Sequence, residues 1–362
     1  MILTLIIAIA SLVILMIVHE FGHFIIAKKF GVRVDEFGIG YPPKLFGKKF
    51  GETEYSINLI PFGAFVRIYG EEGGVDDYRS FSNLAIWKRI LICLGGVLAF
   101  WIAAAIIFSF AFMIGADVPI GDQNVAGISN TRIQVEAVQK NSPADLAGIH
   151  PKDIVVGFDT ITDFQKFTKE NAGKETSVLI RRKDQMFTVR LTPRVRILDG
   201  EGPTGVSLER MAQVIKKVPF YQAPFYGVTY TGQVTWEALH GIVAFFASLF
   251  RGHGLPQGAQ LAGPVGITIF LSRAVEYGLG FFLYFIGSLT VLLAIFNLFP
   301  IPALDGGKLI FLIIEKFYKK PVPVVWEQGL TVFFFFLLIT MSLFVTVKFD
   351  IPRVMDFWKS GN

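Results

Sequence analysis

Cysteine is nearly absent from this 362-residue sequence, in which Cys93 is the single example. One thiol excludes an internal disulfide and any cysteine-rich zinc site. Because Cys93 stands in an apolar run, we interpret it as a small packed side chain. Histidine is also scarce, with five residues in the chain.

Charge is low as well. Charged residues make up 17% of the sequence, whereas hydrophobic residues make up 52% and include 37 phenylalanines. This composition excludes an ordinary soluble protein and predicts several membrane spans, so the lipid bilayer is an expected partner. The net charge of +5 is modest, and its lysines and arginines cluster beside apolar segments, as is typical of membrane proteins. We see no basic face with interleaved aromatic residues, so nucleic acid binding has no support.

Two of the histidines lie in the apolar stretch from Ile14 to Ala27, which contains the pattern His19-Glu20-x-x-His23. On a helix, His19 and His23 leave the same face one turn apart, a spacing that lets both imidazoles reach one tetrahedral Zn2+. Glu20 can then act as general base on a water held by the metal. The alternative is a set of buried, hydrogen-bonded polar groups without a metal. Burial in an apolar helix favours the metal, because a bound metal compensates the cost of desolvating the two imidazoles and the carboxylate.

Two histidines leave room for a third protein ligand. The remaining histidines stand in polar or mixed stretches: His150, His240 and His253. Asp305 instead follows the long apolar run 281–302, in a segment where Pro300 and Pro302 break the helix. Broken backbone at membrane depth survives where protein or a water-filled cavity satisfies it. From spacing alone, a third zinc ligand and an ordinary membrane exit turn are equal alternatives for Asp305.

Together, the segments His-Glu-Phe-Gly-His-Phe and Asn-Leu-Phe-Pro-Ile-Pro-Ala-Leu-Asp-Gly-Gly resemble the HExxH and NPxP…LDG motifs of the site-2 protease family of intramembrane zinc metalloproteases. Their order and wide separation also match. The resemblance implies that His19, His23 and Asp305 bind zinc and that Glu20 is the catalytic base. The residues that it implies for holding an unwound substrate are Asn297, Pro300 and Pro302.

The expected fold is an α-helical polytopic membrane protein with about four transmembrane helices, a cytoplasmic-side β-hairpin region and one inserted extracytoplasmic PDZ-like α+β domain. The predicted segments are a first span at 1–29, a membrane-associated β-hairpin region at 30–89, a second span at 90–116, the PDZ-like domain at 117–215, interfacial helices at 216–278, a third span at 279–302, a cytoplasmic loop at 303–323, a fourth span at 324–347 and a C-terminal tail at 348–362.

Basic residues orient the spans. Lys28 and Lys29 follow the first span and no lysine or arginine precedes it, so we expect the N-terminus outside and the next loop in the cytoplasm. A signal peptide is the competing interpretation, but a basic n-region and a convincing cleavage site are both missing. We therefore expect a multi-pass protein of the bacterial inner membrane, with both termini and the PDZ-like domain extracytoplasmic and the zinc site toward the cytoplasm.

Alternating residues bounded by glycine and proline predict short strands in the hairpin region, at Val32–Phe37, Gly38–Pro43, Glu54–Ile60 and Gly63–Glu71. In the family, such a segment dips toward the active site and can pair with an extended substrate. An ordinary cytoplasmic hairpin is the alternative, which the sequence alone favours. The loop Phe37-Gly-Ile-Gly-Tyr-Pro also departs from the family's usual Gly-Phe-Gly-Pro.

The segment Asn141–Phe158 resembles the "SPA…AG…GD.I" pattern of PDZ domains, although Pro151-Lys152-Asp153 departs from its usual Gly-Asp. Around it we predict strands at Arg132–Val138, Thr176–Arg182 and Met186–Leu191, a helix at Asp163–Asn171 and a turn at Lys183-Asp184. Such a groove accepts an extended chain end. A purely steric filter for bulky substrates is an equal alternative.

Between this domain and the third span, Trp236–Phe250 is apolar but, at ~15 residues, shorter than the ~20 that a span requires. We predict an interfacial helix there, with a re-entrant segment as the alternative, and a turn at Gly263–Gly266.

With its inserted domain, the chain resembles the regulator-of-sigma-E branch of the family. The resemblance implies hydrolysis of the membrane segments of single-span proteins after a first cut, with anti-sigma factors and remnant signal peptides as substrates. A metal transporter is a rival interpretation that leaves Glu20 unexplained. An inactive adaptor that binds membrane segments is a second rival, which needs no catalytic base.

Overall fold

The computed structural model describes residues 2–71, 73, 75–120, 131–183, 185–196, 202–251, 262–352 and 354. The chain divides into two compact units, Met1–Met113 with Val218–Asn362, and Ile114–Lys217. The helices are α1 (Ile2–Lys29), α2 (Ile86–Ile114), α3 (Pro143–Leu146), α4 (Ile161–Glu170), α5 (Ala223–Phe250), α6 (Pro264–Tyr277), α7 (Leu279–Asn297), α8 (Asp305–Tyr318) and α9 (Val324–Val345). The strands are β1 (Val34–Phe50), β2 (Thr53–Ile68), β3 (Ala116–Ile120), β4 (Thr131–Val138), β5 (Ile154–Val156), β6 (Thr176–Arg182), β7 (Gln185–Leu191) and β8 (Val206–Ile215).

In the described part of the chain, four helices are long and apolar enough to cross a membrane: α1, α2, α7 and Val324–Asp350, which continues α9 through a π-helical turn. Most of each apolar window is not buried within the protein, and a helix satisfies its interior backbone hydrogen bonds within itself, as a membrane span requires. Even the shortest, the 19-residue α7, covers about 28 Å at 1.5 Å per residue. The number of candidate spans in the described part of the chain agrees with the predicted number of about four.

The helices of the first unit pack through a core shared by α1, α2, α6 and α7. Its buried members are Ala8, Leu15, Val97, Phe100, Leu271, Ile286 and Ala294. Glycines allow α1 and α2 to touch, since a Cβ on Gly22 would lie 2.2 Å from the carbonyl oxygen of Gly95. Such small residues are what allows membrane helices to approach each other closely. This contact between α1 and α2 lies beside His19 and His23, so residues of α2 surround the two imidazoles.

The hairpin region consists of two long strands rather than four short ones. Residues 53–58 of β2 pair with residues 44–50 of β1, and residues 36–39 of β1 pair both with residues 54–57 and with residues 64–67 of β2, with shifts of register between these stretches. Prolines 42 and 43 interrupt the ladder because they lack an N–H donor. The predicted end of a strand at Pro43 is therefore a bend within β1.

Several apolar side chains of the hairpin are exposed: Tyr41, Leu45, Phe46, Phe50, Ile57, Leu59 and Ile60. Exposed apolar side chains grouped in one hairpin are typical of a region that contacts lipid or another protein.

The predicted loop at 303–323 instead contains the helix α8. Leu309 and Leu312 of α8 pack into a cluster with the end of α1, the hairpin and the start of α2. An amphipathic helix with one buried stripe forms there, and Lys308 and Lys316 give this segment the charged composition of a loop. Asp305 is therefore the first residue of a helix.

The predicted start of the interfacial helix at Trp236 is also wrong, because Trp236–Phe250 belongs to the continuous 28-residue helix α5. Thr231 and Thr235 donate hydrogen bonds to carbonyls of their own helix, which lets these polar residues continue it. The predicted turn at Gly263–Gly266 is wrong as well. Gly263 is the N-cap of α6 and Pro264 is its first residue, a position that tolerates proline.

The end of the fourth candidate span is tied to α6. Asp350 is fully buried, and its Oδ1 accepts a hydrogen bond from the Gly263 N–H at 3.1 Å. The predicted tail 348–362 therefore begins within a helix, and residues 355–362 lie outside the described residues.

The second unit is a six-stranded antiparallel sheet in the order β3-β8-β4-β5-β6-β7. Ser142 and Thr160 accept hydrogen bonds from the first turns of α3 and α4, as helix N-caps do. Phe164 of α4 packs into the sheet's core. The predicted strands and helix of this unit agree with β4, β6, β7 and α4 within two residues, while Asp184 of the predicted turn lies outside the described residues.

Candidate metal centre

The candidate metal centre lies between α1, α2 and the first turn of α8. His19 and His23 are buried one turn apart on α1, and Asp305 begins α8. Within the described residues, these three form the one group of three or more histidine, cysteine or acidic side chains whose ligand atoms lie within 4.8 Å of one another. The fold thus joins two motifs that are far apart in the sequence.

The three ligand atoms form a compact triangle. His19 Nε2 lies 3.2 Å from His23 Nε2, and Asp305 Oδ2 lies 3.3 Å from His19 Nε2 and 3.5 Å from His23 Nε2. A tetrahedral zinc with ligands at about 2.0–2.1 Å has ligand–ligand edges of about 3.3–3.4 Å. The observed triangle matches one face of that tetrahedron.

Neighbouring groups orient the imidazoles so that they can bind a metal. His23 Nδ1 donates a hydrogen bond to the Ile92 carbonyl at 2.8 Å, so Nε2 keeps its lone pair for a ligand bond. The His19 ring stacks on Phe100 at 4.6 Å between centroids. Asp305 Oδ2 is buried without a hydrogen-bond partner among the described residues. Such a carboxylate oxygen is costly alone, and a cation between it and the imidazoles satisfies it.

Gly96 of α2 provides the space for both rings. A Cβ there would lie 2.4 Å from His19 Cε1 and 2.4 Å from His23 Nε2. Gly96 is therefore a position that no side chain can share with the imidazoles.

Glu20 is partly buried beside this triangle. It lies close enough to interact electrostatically with His19, His23 and Asp305, and also with Glu71 at the end of the hairpin. A carboxylate in this position can exchange a proton with water at the cluster.

The predicted substrate-binding residues lie near Asp305 in the sequence but outside the ligand triangle. Asn297 ends α7, and its side-chain amide donates to the Leu293 carbonyl at 3.0 Å. Pro300 is exposed, and the Pro302 carbonyl accepts a hydrogen bond from Thr331 at 3.2 Å. Their substrate role stays a prediction.

The other described histidines are engaged elsewhere. His240 Nδ1 donates to the Trp236 carbonyl within α5, and the His150 backbone N–H donates to Asp153 in the second unit. His253 lies outside the described residues.

A family comparison decides what kind of protein carries this centre. The sequence profile of "Peptidase family M50" matches residues 7–341. The chain belongs to peptidase family M50. The predicted membership of the site-2 protease family is confirmed.

Curated relatives of this M50 peptidase cover nearly its whole length. A candidate zinc metalloprotease of Clostridium perfringens is 33% identical over 92% of this chain and 94% of its own. A candidate zinc metalloprotease of Nostoc is 29% identical over 94% of each chain. The regulator of sigma-E protease RseP of Salmonella typhimurium is 28% identical over 87% of this chain and 91% of its own. This M50 peptidase is therefore a multi-pass zinc metalloprotease, as the motifs predicted.

Sequence reasoning missed the charged partners around α8. In the structure Arg89 pairs with Glu315, and Lys308 pairs with Glu71. Acidic residues close to the ends of apolar runs could have indicated such ion pairs, but the sequence does not show which basic residue each of them contacts.

Proposed function

We propose that this M50 peptidase cleaves the transmembrane segments of single-span proteins, with His19, His23 and Asp305 as zinc ligands and Glu20 as the catalytic base. The observation that carries the proposal is the ligand triangle in the C-terminal half of a helix long and apolar enough to span a membrane, with Glu20 on the same helix. A site at this depth acts on peptide bonds that a soluble protease does not reach.

The chain's own residues supply the proton chemistry. When bound, zinc supplies Lewis-acid catalysis, which polarises a carbonyl and acidifies water. Glu20 accepts the proton of the attacking water and returns it to the leaving nitrogen. His23 is held by the Ile92 carbonyl, so its ring does not rotate during the reaction.

The substrate class follows from the chain's resemblance to regulator-of-sigma-E proteases. Substrates are membrane-anchored anti-sigma factors and remnant signal peptides that a first cut has already trimmed. The peptidase lies in the bacterial inner membrane, with both termini and the second unit extracytoplasmic and the zinc centre toward the cytoplasm. Lys28 and Lys29 at the end of α1 support this orientation.

The second unit is PDZ-like and binds an extended chain end. A groove of about 570 Å³ is lined by Ile161 and Phe164 of α4 and by Val206 and Leu208 of β8. A groove lined by a helix and a strand accepts an extended chain end beside that strand, which favours binding over a purely steric role.

Cleavage of a tagged single-span substrate without its outer domain tests the proposal. Purified wild type, Glu20→Gln and the control Glu237→Gln, whose carboxylate lies on the exposed face of α5, are compared with and without a zinc chelator. We expect wild type and Glu237→Gln to cleave, and Glu20→Gln to bind zinc but to lose at least ~10²-fold in rate. Chelator should stop all cleavage.

Other outcomes would refute the proposal. Equal cleavage by wild type and Glu20→Gln contradicts the role of Glu20. Zinc uptake into vesicles without cleavage supports a metal transporter, and tight binding of the intact substrate by wild type without cleavage supports an adaptor.

A further inference from the structure

The Asp305 carboxylate reaches the imidazoles only if α8 lies in the correct place. The segment 298–304, which joins α8 to α7, contains two prolines and no helix. Leu304, the N-cap of α8, offers no side-chain hydrogen bond. This connection packs closely against the first turn of α8, since a Cβ on Gly306 would lie 2.2 Å from the Phe299 carbonyl oxygen, and contacts of α8 with other elements hold the rest of the helix.

The first turn of α8 is fastened to the end of the hairpin. Lys308 Nζ donates to Glu71 Oε1 at 2.5 Å and lies 5.1 Å from the centroid of the Phe81 ring. Burial lowers the pKa of Lys308, but the Glu71 carboxylate outweighs this and holds the pKa above its ordinary value. The ammonium group therefore stays charged and paired.

The last turn of α8 is fastened to the start of α2. Both terminal nitrogens of Arg89 donate to the Glu315 carboxylate, one of them at 2.9 Å, in the bidentate geometry that makes such pairs strong. Arg89 is 8% exposed. The same end of α2 carries Ile92, whose carbonyl orients His23.

These contacts lie on one face of α8. Lys308, Leu312 and Glu315 are spaced i, i+4 and i+7, so they project from the same side of the helix. Leu312 is buried between the two ion pairs. Both pairs also line one cavity of about 80 Å³, which places them in a single partly desolvated cluster.

We propose that the pairs Lys308–Glu71 and Arg89–Glu315 clamp α8 and thereby position Asp305 for zinc. The proposal rests on the zinc-ligand role of Asp305 proposed above. The four residues are positioning residues, because they act through Asp305 and do not touch the ligand triangle. Ligand atoms of a zinc site must lie within about 0.2 Å of their ideal distances, so a small shift of α8 weakens zinc binding.

Removing one partner leaves the other charge partly buried and without its ion-pair partner, and we expect the helix to move so that this charge is hydrated. Changes to residues that support a metal ligand typically weaken metal affinity by 10–100-fold. We expect this range for Lys308→Met and for the isosteric Glu71→Gln. The double variant should be no weaker than either single variant, because the pair acts as a unit. Lys308→Arg should restore part of the affinity.

Zinc titration of the full-length protein in detergent against a competing chelator tests the clamp. The control is Lys316→Met, because Lys316 is exposed on the same helix, and it should bind zinc as wild type does. Asp305→Asn is included as the reference for a lost ligand. Thermal unfolding without zinc gives the folded fraction, so affinity is expressed per folded molecule.

Each result is decisive. If Lys308→Met and Glu71→Gln keep wild-type zinc affinity while Asp305→Asn loses it, the clamp is refuted and the ligand set stands. A lower unfolding temperature with unchanged zinc affinity likewise shows a purely structural role and refutes the clamp. If Asp305→Asn keeps wild-type affinity, the proposed ligand set fails first. If Lys308→Met does not fold, Glu71→Gln and Lys308→Arg carry the same test.

Discussion

Gly96→Ala should empty the zinc centre without removing any ligand. The added Cβ would lie 2.4 Å from an atom of each imidazole, His19 Cε1 and His23 Nε2. Real Cβ atoms essentially never approach below 3.0 Å, and ordinary contact begins at 3.4 Å. One or both rings must therefore move by about 1 Å, the difference between 3.4 and 2.4 Å.

That displacement is about five times the tolerance of about 0.2 Å for zinc–ligand distances. We expect zinc affinity to fall by about 100-fold or more, the upper end for changes around a metal ligand. At saturating zinc, a 100-fold loss removes about 2.7 kcal/mol of zinc-dependent stabilisation. Alanine is otherwise the better helix former by about 0.5–1 kcal/mol, so helix propensity works against this loss and cannot explain it.

The assay is chelator competition for zinc, combined with thermal unfolding at several zinc concentrations. Gly329→Ala is the matched control, because Gly329 lies in α9 and a methyl group added there would meet nothing within 4 Å. The control should bind zinc as wild type does. Wild-type zinc affinity in Gly96→Ala would refute the geometry of the centre, since two imidazoles and a Cβ cannot occupy the same space.

Three further predictions concern other parts of the molecule. Burial raises the pKa of Asp153, but its bonds to the Arg182 guanidinium outweigh this and hold the pKa below its ordinary value. Because the folded-state pKa is the lower one, this carboxylate stabilises the second unit above about pH 4 and loses that effect as pH falls further. Asp153→Asn should speed hydrogen exchange in this unit at pH 7 and abolish that acid dependence, whereas exchange equal to wild type would contradict the pairing. Asp350→Ala removes the acceptor of the hydrogen bond from the Gly263 N–H and should lower the free energy of unfolding by about 0.5–2 kcal/mol. An unchanged thermal midpoint would contradict a stabilising role for this hydrogen bond. Asn297→Ala should raise KM for a single-span substrate and keep zinc bound, and an unaltered KM would remove it from substrate binding.

The sequence by itself determined the membrane character, the number of spans and the pairing of His19 with His23. These features are local, since apolar runs specify membrane helices and the helical period places residues four apart on one face. The two motifs were also sufficient to indicate the family and its zinc chemistry. In the second unit, strand and helix boundaries followed from alternation and turn residues within short windows.

Only the tertiary structure decided which atoms meet at the centre. For Asp305, spacing left a ligand and an exit turn as equal alternatives, and the fold brings its carboxylate within 3.5 Å of both imidazoles. The clearance at Gly96 and the pairing of Lys308 with Glu71 likewise depend on distances between elements far apart in the chain. Local pattern carries no information about such distances, because packing of whole helices against one another sets them.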